Sequence, residues 1–184
     1  MRAVDTNVLV YAHITSSRHH EKARVLLLEL AEGALPWAIP WPCIYEFLRI
    51  VTHPRVYHPP SPVQVALADL GAILESPSLM LLSETPRHAQ VMTALIGHSG
   101  VTGNLMHDAY IAALCMEHGV AELVTNLGQL RAGFLHRVGK RVTETMDLGN
   151  AEAGIADQAE GPGAHGLAIG AVVRQRHPDR GVMR

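Results

Sequence analysis

Three acidic residues stand in stretches that are otherwise largely apolar: Asp5 after Arg2-Ala3-Val4, Glu46 within Pro42-Cys43-Ile44-Tyr45-Glu46-Phe47-Leu48, and Asp108 within Leu105-Met106-His107-Asp108-Ala109-Tyr110-Ile111-Ala112-Ala113-Leu114. A carboxylate removed from water is costly unless something positive or hydrogen-bonding compensates it. Several brought together repel one another and raise their pKa values. A divalent cation resolves that conflict. Carboxylate oxygens suit Mg²⁺ or Mn²⁺, which keep several waters and commonly bridge one or two carboxylates to a substrate phosphate. Each acid also has a structural reading. Asp5 can cap the following helix together with Thr6 and Asn7, Glu46 can pair on a surface with Arg49 or Arg55, and Asp108 suits the dipole at a helix start. The three in this order favour the chemical reading.

Other reactive side chains are less suggestive. The 12 histidines include no His-Glu-x-x-His element and no tight ligand spacing with Cys. His107 adjoins Asp108, but consecutive helix residues point about 100° apart. Cys43 and Cys115 offer neither a disulfide framework nor metal-ligand spacing, and read as small apolar residues of a reduced protein. No phosphate-cradling glycine loop or nucleophile elbow occurs. Arg49 and Arg55, with His53 and His58, follow Glu46 and are candidate phosphate contacts; Arg18, Lys22 and Arg24 form a second basic group.

Alternating strands and helices would position the acids. Arg2 to Val4 reads as a buried strand ending at Asp5, with a helix starting at Thr6 or Asn7. A helix over 19–32 carries the stripe Ala23, Leu26, Leu27, Leu30 and Ala31, and Gly33 stops it. Trp37-Ala38-Ile39 is a short strand, and Pro42 opens a helix with Ile44, Phe47, Leu48 and Val51 on one side. The next helix, opened by Ser61-Pro62, is expected to turn Val63, Ala66, Leu67, Leu70, Ile73 and Leu74 inward. Leu79 to Leu82 is a strand, Pro86 starts a helix, and Asn104 caps another that runs to His118 and stops at Gly119. Glu122 to Thr125 is the last strand. Met92, Met106 and Met116 are expected to fill the core. This alternation predicts an α/β fold with a mainly parallel sheet covered on both faces, whose ligands lie beyond the carboxyl ends of the strands, where Asp5 falls.

The segments Asp5-Thr6-Asn7-Val8-Leu9, Glu46 with the following Thr52-His53-Pro54, and Gly103-Asn104-Leu105-Met106-His107-Asp108-Ala109-Tyr110-Ile111-Ala112-Ala113-Leu114 resemble PIN-domain ribonucleases, most closely the VapC-type toxins of bacterial toxin–antitoxin pairs. The resemblance spans roughly residues 1–125. It implies a three-layer α/β/α fold and a Mg²⁺- or Mn²⁺-dependent endoribonuclease acting on tRNA- or rRNA-class substrates. It further implies neutralisation by a cognate antitoxin and homodimer formation. Asp5, Glu46 and Asp108 match the first three acids of the family's site, Asp5 and Asp108 as principal metal ligands and Glu46 completing the cluster. Thr6 and Asn7 would support Asp5. The family's next acids would fall at Leu127 and Gln129, which cannot supply a charged oxygen. That departure supports an alternative: a catalytically impaired PIN domain that binds RNA or antitoxin.

With 184 residues and a net charge of -2, the chain suits one compact domain and lacks the strong basic bias of an obvious nucleic-acid binder. Residues 1–126 hold 7 Lys/Arg against 11 Asp/Glu and only 6 of the 16 glycines; the remainder holds 8 against 6 and the other 10 glycines. We therefore expect a PIN-like domain over 1–135 and an atypical, Gly-rich, poorly ordered tail over 136–184. No run of apolar residues is long enough to cross a bilayer, and a cytoplasmic protein with no membrane partner is expected.

Overall fold

The structure is a computed structural model that describes residues 1–99, 101–125 and 141–144, with the backbone alone for 98–99 and 141–144. The elements run β1 (Arg2–Val4), α1 (Thr6–His13), α2 (His20–Glu32), β2 (Trp37–Pro40), α3 (Trp41–Val51), α4 (Val63–Leu74), β3 (Leu79–Leu82), α5 (His88–Ser99), α6 (Leu105–Glu117), β4 (Glu122–Thr125) and β5 (Arg141–Glu144). Five strands form one sheet in the order β3-β2-β1-β4-β5, every neighbouring pair parallel. This is the expected α/β/α architecture. Its central strands are almost wholly apolar because helices cover the sheet: all four residues of β2 are buried, as are Ala3, Val4, Leu123 and Val124.

The strand order explains why chemistry gathers at one place. From β1 the chain builds outward through β2 to β3, then returns to add β4 on the other side of β1. The crevice between the carboxyl ends of β1 and β4 is therefore the topological switch point, the usual ligand site of an open parallel sheet. Arg2, Ala3 and Val4 pair with Glu122, Leu123 and Val124, and the Asp5 N–H donates to the Val124 carbonyl at 3.0 Å. The next residues of both strands, Asp5 and Thr125, thus meet at that crevice.

Helix starts and stops follow local chemistry. Asp5 is the N-cap of α1, its Oδ1 accepting from the Thr6 N–H at 2.7 Å. At the end of α6, Gly119 adopts φ +65°, and paired bonds from Gly119 N–H to Met116 O and Val120 N–H to Cys115 O close the helix in a Schellman motif. α3 begins one residue earlier than expected, at Trp41, with Pro42 inside its first turn. Asn104 occupies the cap position of α6 but makes no side-chain capping bond.

Some expectations about burial are corrected. In α4 the inward residues are Ala66, Asp69, Leu70, Ala72 and Ile73, whereas Val63, Leu67 and Leu74 are exposed, because those three share a separate stripe that faces solvent. Met92, Met106 and Met116 are exposed as well, so the core is aliphatic and aromatic rather than Met-filled. Asp69 can be buried because His13 Nδ1 meets its Oδ2 at 2.6 Å while His13 Nε2 meets Ser61 Oγ at 2.7 Å. This network fastens the end of α1 to α4. Arg141–Glu144, in the segment expected as an irregular tail, forms the edge strand β5. Leu127 and Gln129, at the end of the expected domain, and the rest of the 136–184 tail lie outside the described residues. No helix among the described residues is long and apolar enough to cross a membrane.

Candidate active site

Asp5 is buried and held by neutral donors. Oδ1 accepts from the Thr6 N–H and from the Cys43 thiol at 3.7 Å, and Oδ2 accepts from Thr125 Oγ1 at 2.7 Å. Thr125 in turn accepts from Asn7 Nδ2 at 3.0 Å. Burial first, and then the negative Asp5, push the Cys43 thiol well above its ordinary pKa, so it remains an S–H donor. Each carboxylate oxygen has two lone pairs, and these bonds fix the group's direction without exhausting it.

Glu46 lies on α3 facing α6. Its Oε2 contacts His107 Nε2 and accepts weakly from Thr6 Oγ1 at 3.5 Å, while Oε1 accepts from Arg49 Nη2 at 3.1 Å. The His107 contact, helped by Arg49, holds the Glu46 carboxyl below its usual range. His107 is shifted the other way, above its usual imidazole range, by Glu46 first and then by the charges of Asp108 and Asp5. All three predicted acids therefore act on this one imidazole. Asp108 itself is buried in the first turn of α6. Beside these groups opens a cleft of about 790 Å³, lined by Tyr45, Glu46, Arg49, Asn104, His107 and Tyr110 among others.

A sequence model of the PIN domain matches residues 2–132. Ribonuclease VapC37 of Mycobacterium tuberculosis is 34% identical over 118 residues, 64% of this chain and 82% of that protein. Ribonuclease VapC43 of the same organism is 35% identical over 131 residues, 71% of this chain and 89% of that protein. The chain belongs to the VapC ribonuclease family of PIN-domain proteins. Two solved structures share the fold. The Rickettsia felis VapBC2 structure, bound to a DNA fragment from its promoter, has a TM-score of 0.55 at 19% identity and covers 77% of this chain and 96% of that one. Mycobacterium tuberculosis VapC20, described as a sarcin–ricin loop cleaving toxin, has a TM-score of 0.53 at 16% identity and covers 72% and 95%.

In this PIN domain Glu46 contacts His107, Asp108 follows His107 in the first turn of α6, Thr6 touches both Asp5 and Glu46, and Asn7 reaches Asp5 through Thr125. Arg49 is in the cleft, but clamped to Glu46. Arg55 does not line it; its backbone N–H bonds His53 Nδ1. Among the described residues no three His, Cys, Asp or Glu side chains are arranged to hold a metal ion together. A cage of three is not what Mg²⁺ requires, since one or two carboxylates plus waters suffice. The donor set fits on that basis: Asp5 is a buried carboxylate at the strand-end crevice, Asp108 is a buried carboxylate in the first turn of α6, and Glu46 is turned toward His107 and Arg49.

The PIN-domain residues that sequence reasoning undervalued are Thr125, Cys43 and His107. Thr125 carried a legible signal, because it ends an apolar strand just as Asp5 does. His107 carried little, since its partner lies on another helix.

Proposed function

We propose that this protein is a divalent-metal-dependent endoribonuclease toxin that hydrolyses phosphodiester bonds of tRNA- or rRNA-class RNA and is neutralised by a cognate antitoxin. The observation that supports it best is the Asp5 carboxylate at the switch point of a PIN fold, aimed by Thr6 and Thr125 and linked through Thr6 to Glu46. Asp5 and Asp108 would hold Mg²⁺ or Mn²⁺. When bound, such a cation polarises the phosphate and lowers the pKa of an attacking water.

The chain's own residues set the rest. Thr6, Cys43 and Thr125 aim the Asp5 carboxylate and keep it from rotating. Glu46, held below its ordinary pKa by His107 and Arg49, is ionised at neutral pH and can accept, but not donate, a proton. His107 carries a larger share of its proton near neutrality than a free imidazole, which places a positive charge beside the carboxylates where phosphate must approach. Hydrolysis forms a bond from water oxygen to phosphorus and breaks one P–O ester bond, the departing oxygen gaining a proton.

Incubating purified protein with total RNA in Mg²⁺, Mn²⁺ or EDTA tests this reading. Discrete cleavage products with metal and none with EDTA are expected; products that persist in EDTA refute metal dependence. The structural relatives are a VapBC assembly and a toxin, which supports the antitoxin partner, and a homodimer belongs to the same proposal. The impaired reading rests on Leu127 at the family's fourth acidic position. RNA binding without cleavage in the parent, with cleavage gained in Leu127→Asp, would establish it.

A further inference from the structure

The exposed side of α3 carries Trp41, Tyr45 and Arg49 at four-residue spacing, one above the other on the helix surface. Aromatic residues are scarce here, with 2 Trp, 4 Tyr and 2 Phe in the whole chain. Among the described residues Trp41 and Tyr45 are the exposed ones, Tyr45 at 68%. Their ring centroids lie 6.0 Å apart with the planes tilted by 35°. Single exposed apolar side chains need no explanation. Two adjacent rings that continue into an arginine on the wall of the cleft are a different matter, since Tyr45, Glu46 and Arg49 line that cleft together.

We propose that Trp41 and Tyr45 form a stacking platform for unpaired bases flanking the scissile phosphate, with Arg49 contacting the adjoining phosphate. This rests on the ribonuclease reading and adds the side chains that would hold the bases and phosphate beside the scissile bond. A base sandwiched between two rings needs a centroid spacing of about twice the ~3.4 Å nucleotide rise. These rings are closer than that and tilted, so each offers its outer face to a separate base. Base faces are available only when unpaired, and stacking on aromatic side chains is how proteins commonly read such strands. Arg49 uses one nitrogen on Glu46 and is still largely exposed, leaving guanidinium donors for a phosphate oxygen.

Fluorescence provides the test. Trp37 is buried at 1% exposure, leaving Trp41 as the solvent-facing tryptophan. In EDTA, which prevents cleavage, a mixed-sequence single-stranded RNA of about ten nucleotides should quench the emission, and the same RNA annealed to its complement should not. Trp41→Phe should remove the quench. Tyr45→Ala should weaken binding about tenfold or more, with Tyr45→Phe restoring it, and in metal should raise KM while leaving kcat nearly unchanged. Equal binding by Tyr45→Ala and the parent overturns the platform and leaves the ribonuclease reading intact, as does preference of the parent for duplex. If those variants bind normally but sediment as smaller species than the parent, the face joins two copies of this chain instead. A parent that neither binds nor cleaves RNA defeats both the platform and the reading beneath it.

Discussion

At the residue scale, the site depends on neutral donors that aim a charged oxygen. Thr125→Val removes the hydroxyl on Asp5 Oδ2 and keeps the shape. Loss of such an outer partner typically costs about 10–100-fold in metal affinity or activity, and that loss in RNA cleavage is expected, with Thr125→Ser close to the parent. The His107–Glu46 pair predicts a pH signature in metal-free protein. The imidazole is raised from 6.5, so its share of stability is complete below that value and is lost as pH climbs through the higher folded pKa. The carboxyl is lowered from 4.5, so its share is complete above that value and is lost as pH falls through the lower folded pKa. Melting curves in EDTA should show parent and His107→Gln differing most between these limits and converging as pH rises well above neutrality. Asp5 was legible in the sequence because a lone acid closes an apolar strand. His107 was not, because the roughly 100° between helix neighbours indicates where it points relative to Asp108 but not that α3 brings Glu46 to meet it.

At the element scale, α1 is fixed at both ends by polar chemistry. Asp5 caps its start, and His13 joins its last turn to Asp69 on α4 and to Ser61 before it. Removing one partner leaves a buried imidazole short of a hydrogen bond, which costs about 1–3 kcal/mol. Urea unfolding of Asp69→Ala should show that loss, and the His13→Ala, Asp69→Ala double mutant should lose less than the sum of the singles. Periodicity revealed that α4 exists but not which way it faces: the exposed Val63, Leu67 and Leu74 stripe is as apolar as the buried one. The burial of Asp69 depends on a histidine 56 positions away, a separation no local pattern records. The strand β5 was missed for a related reason. Arg141-Val142-Thr143-Glu144 has no apolar run, and its place at the sheet edge comes from pairing with β4.

At the scale of the whole molecule, a net charge of -2 and an acidic first 126 residues give RNA no general electrostatic attraction. Binding must come from a few local contacts. For single strands the logarithmic salt slope is about -0.7 per phosphate neutralised, so a slope no steeper than about -2 is expected in EDTA; a much steeper one would indicate a broad basic surface. The order of the acids and the alternation of elements made the fold legible before any coordinates, whereas the switch point required the strand order, because only then do Asp5 and Thr125 become neighbours. The central claim is that Asp5 and Asp108 hold the cation that RNA cleavage requires. The most direct measurement is the cleavage rate of one end-labelled RNA in Mn²⁺ by the parent, Asp5→Asn and Asp108→Asn, each first shown to fold like the parent by circular dichroism. Both substitutions keep the shape and remove the charge, and each should lower the rate by at least about 100-fold; a folded variant that cuts at the parental rate would contradict the account.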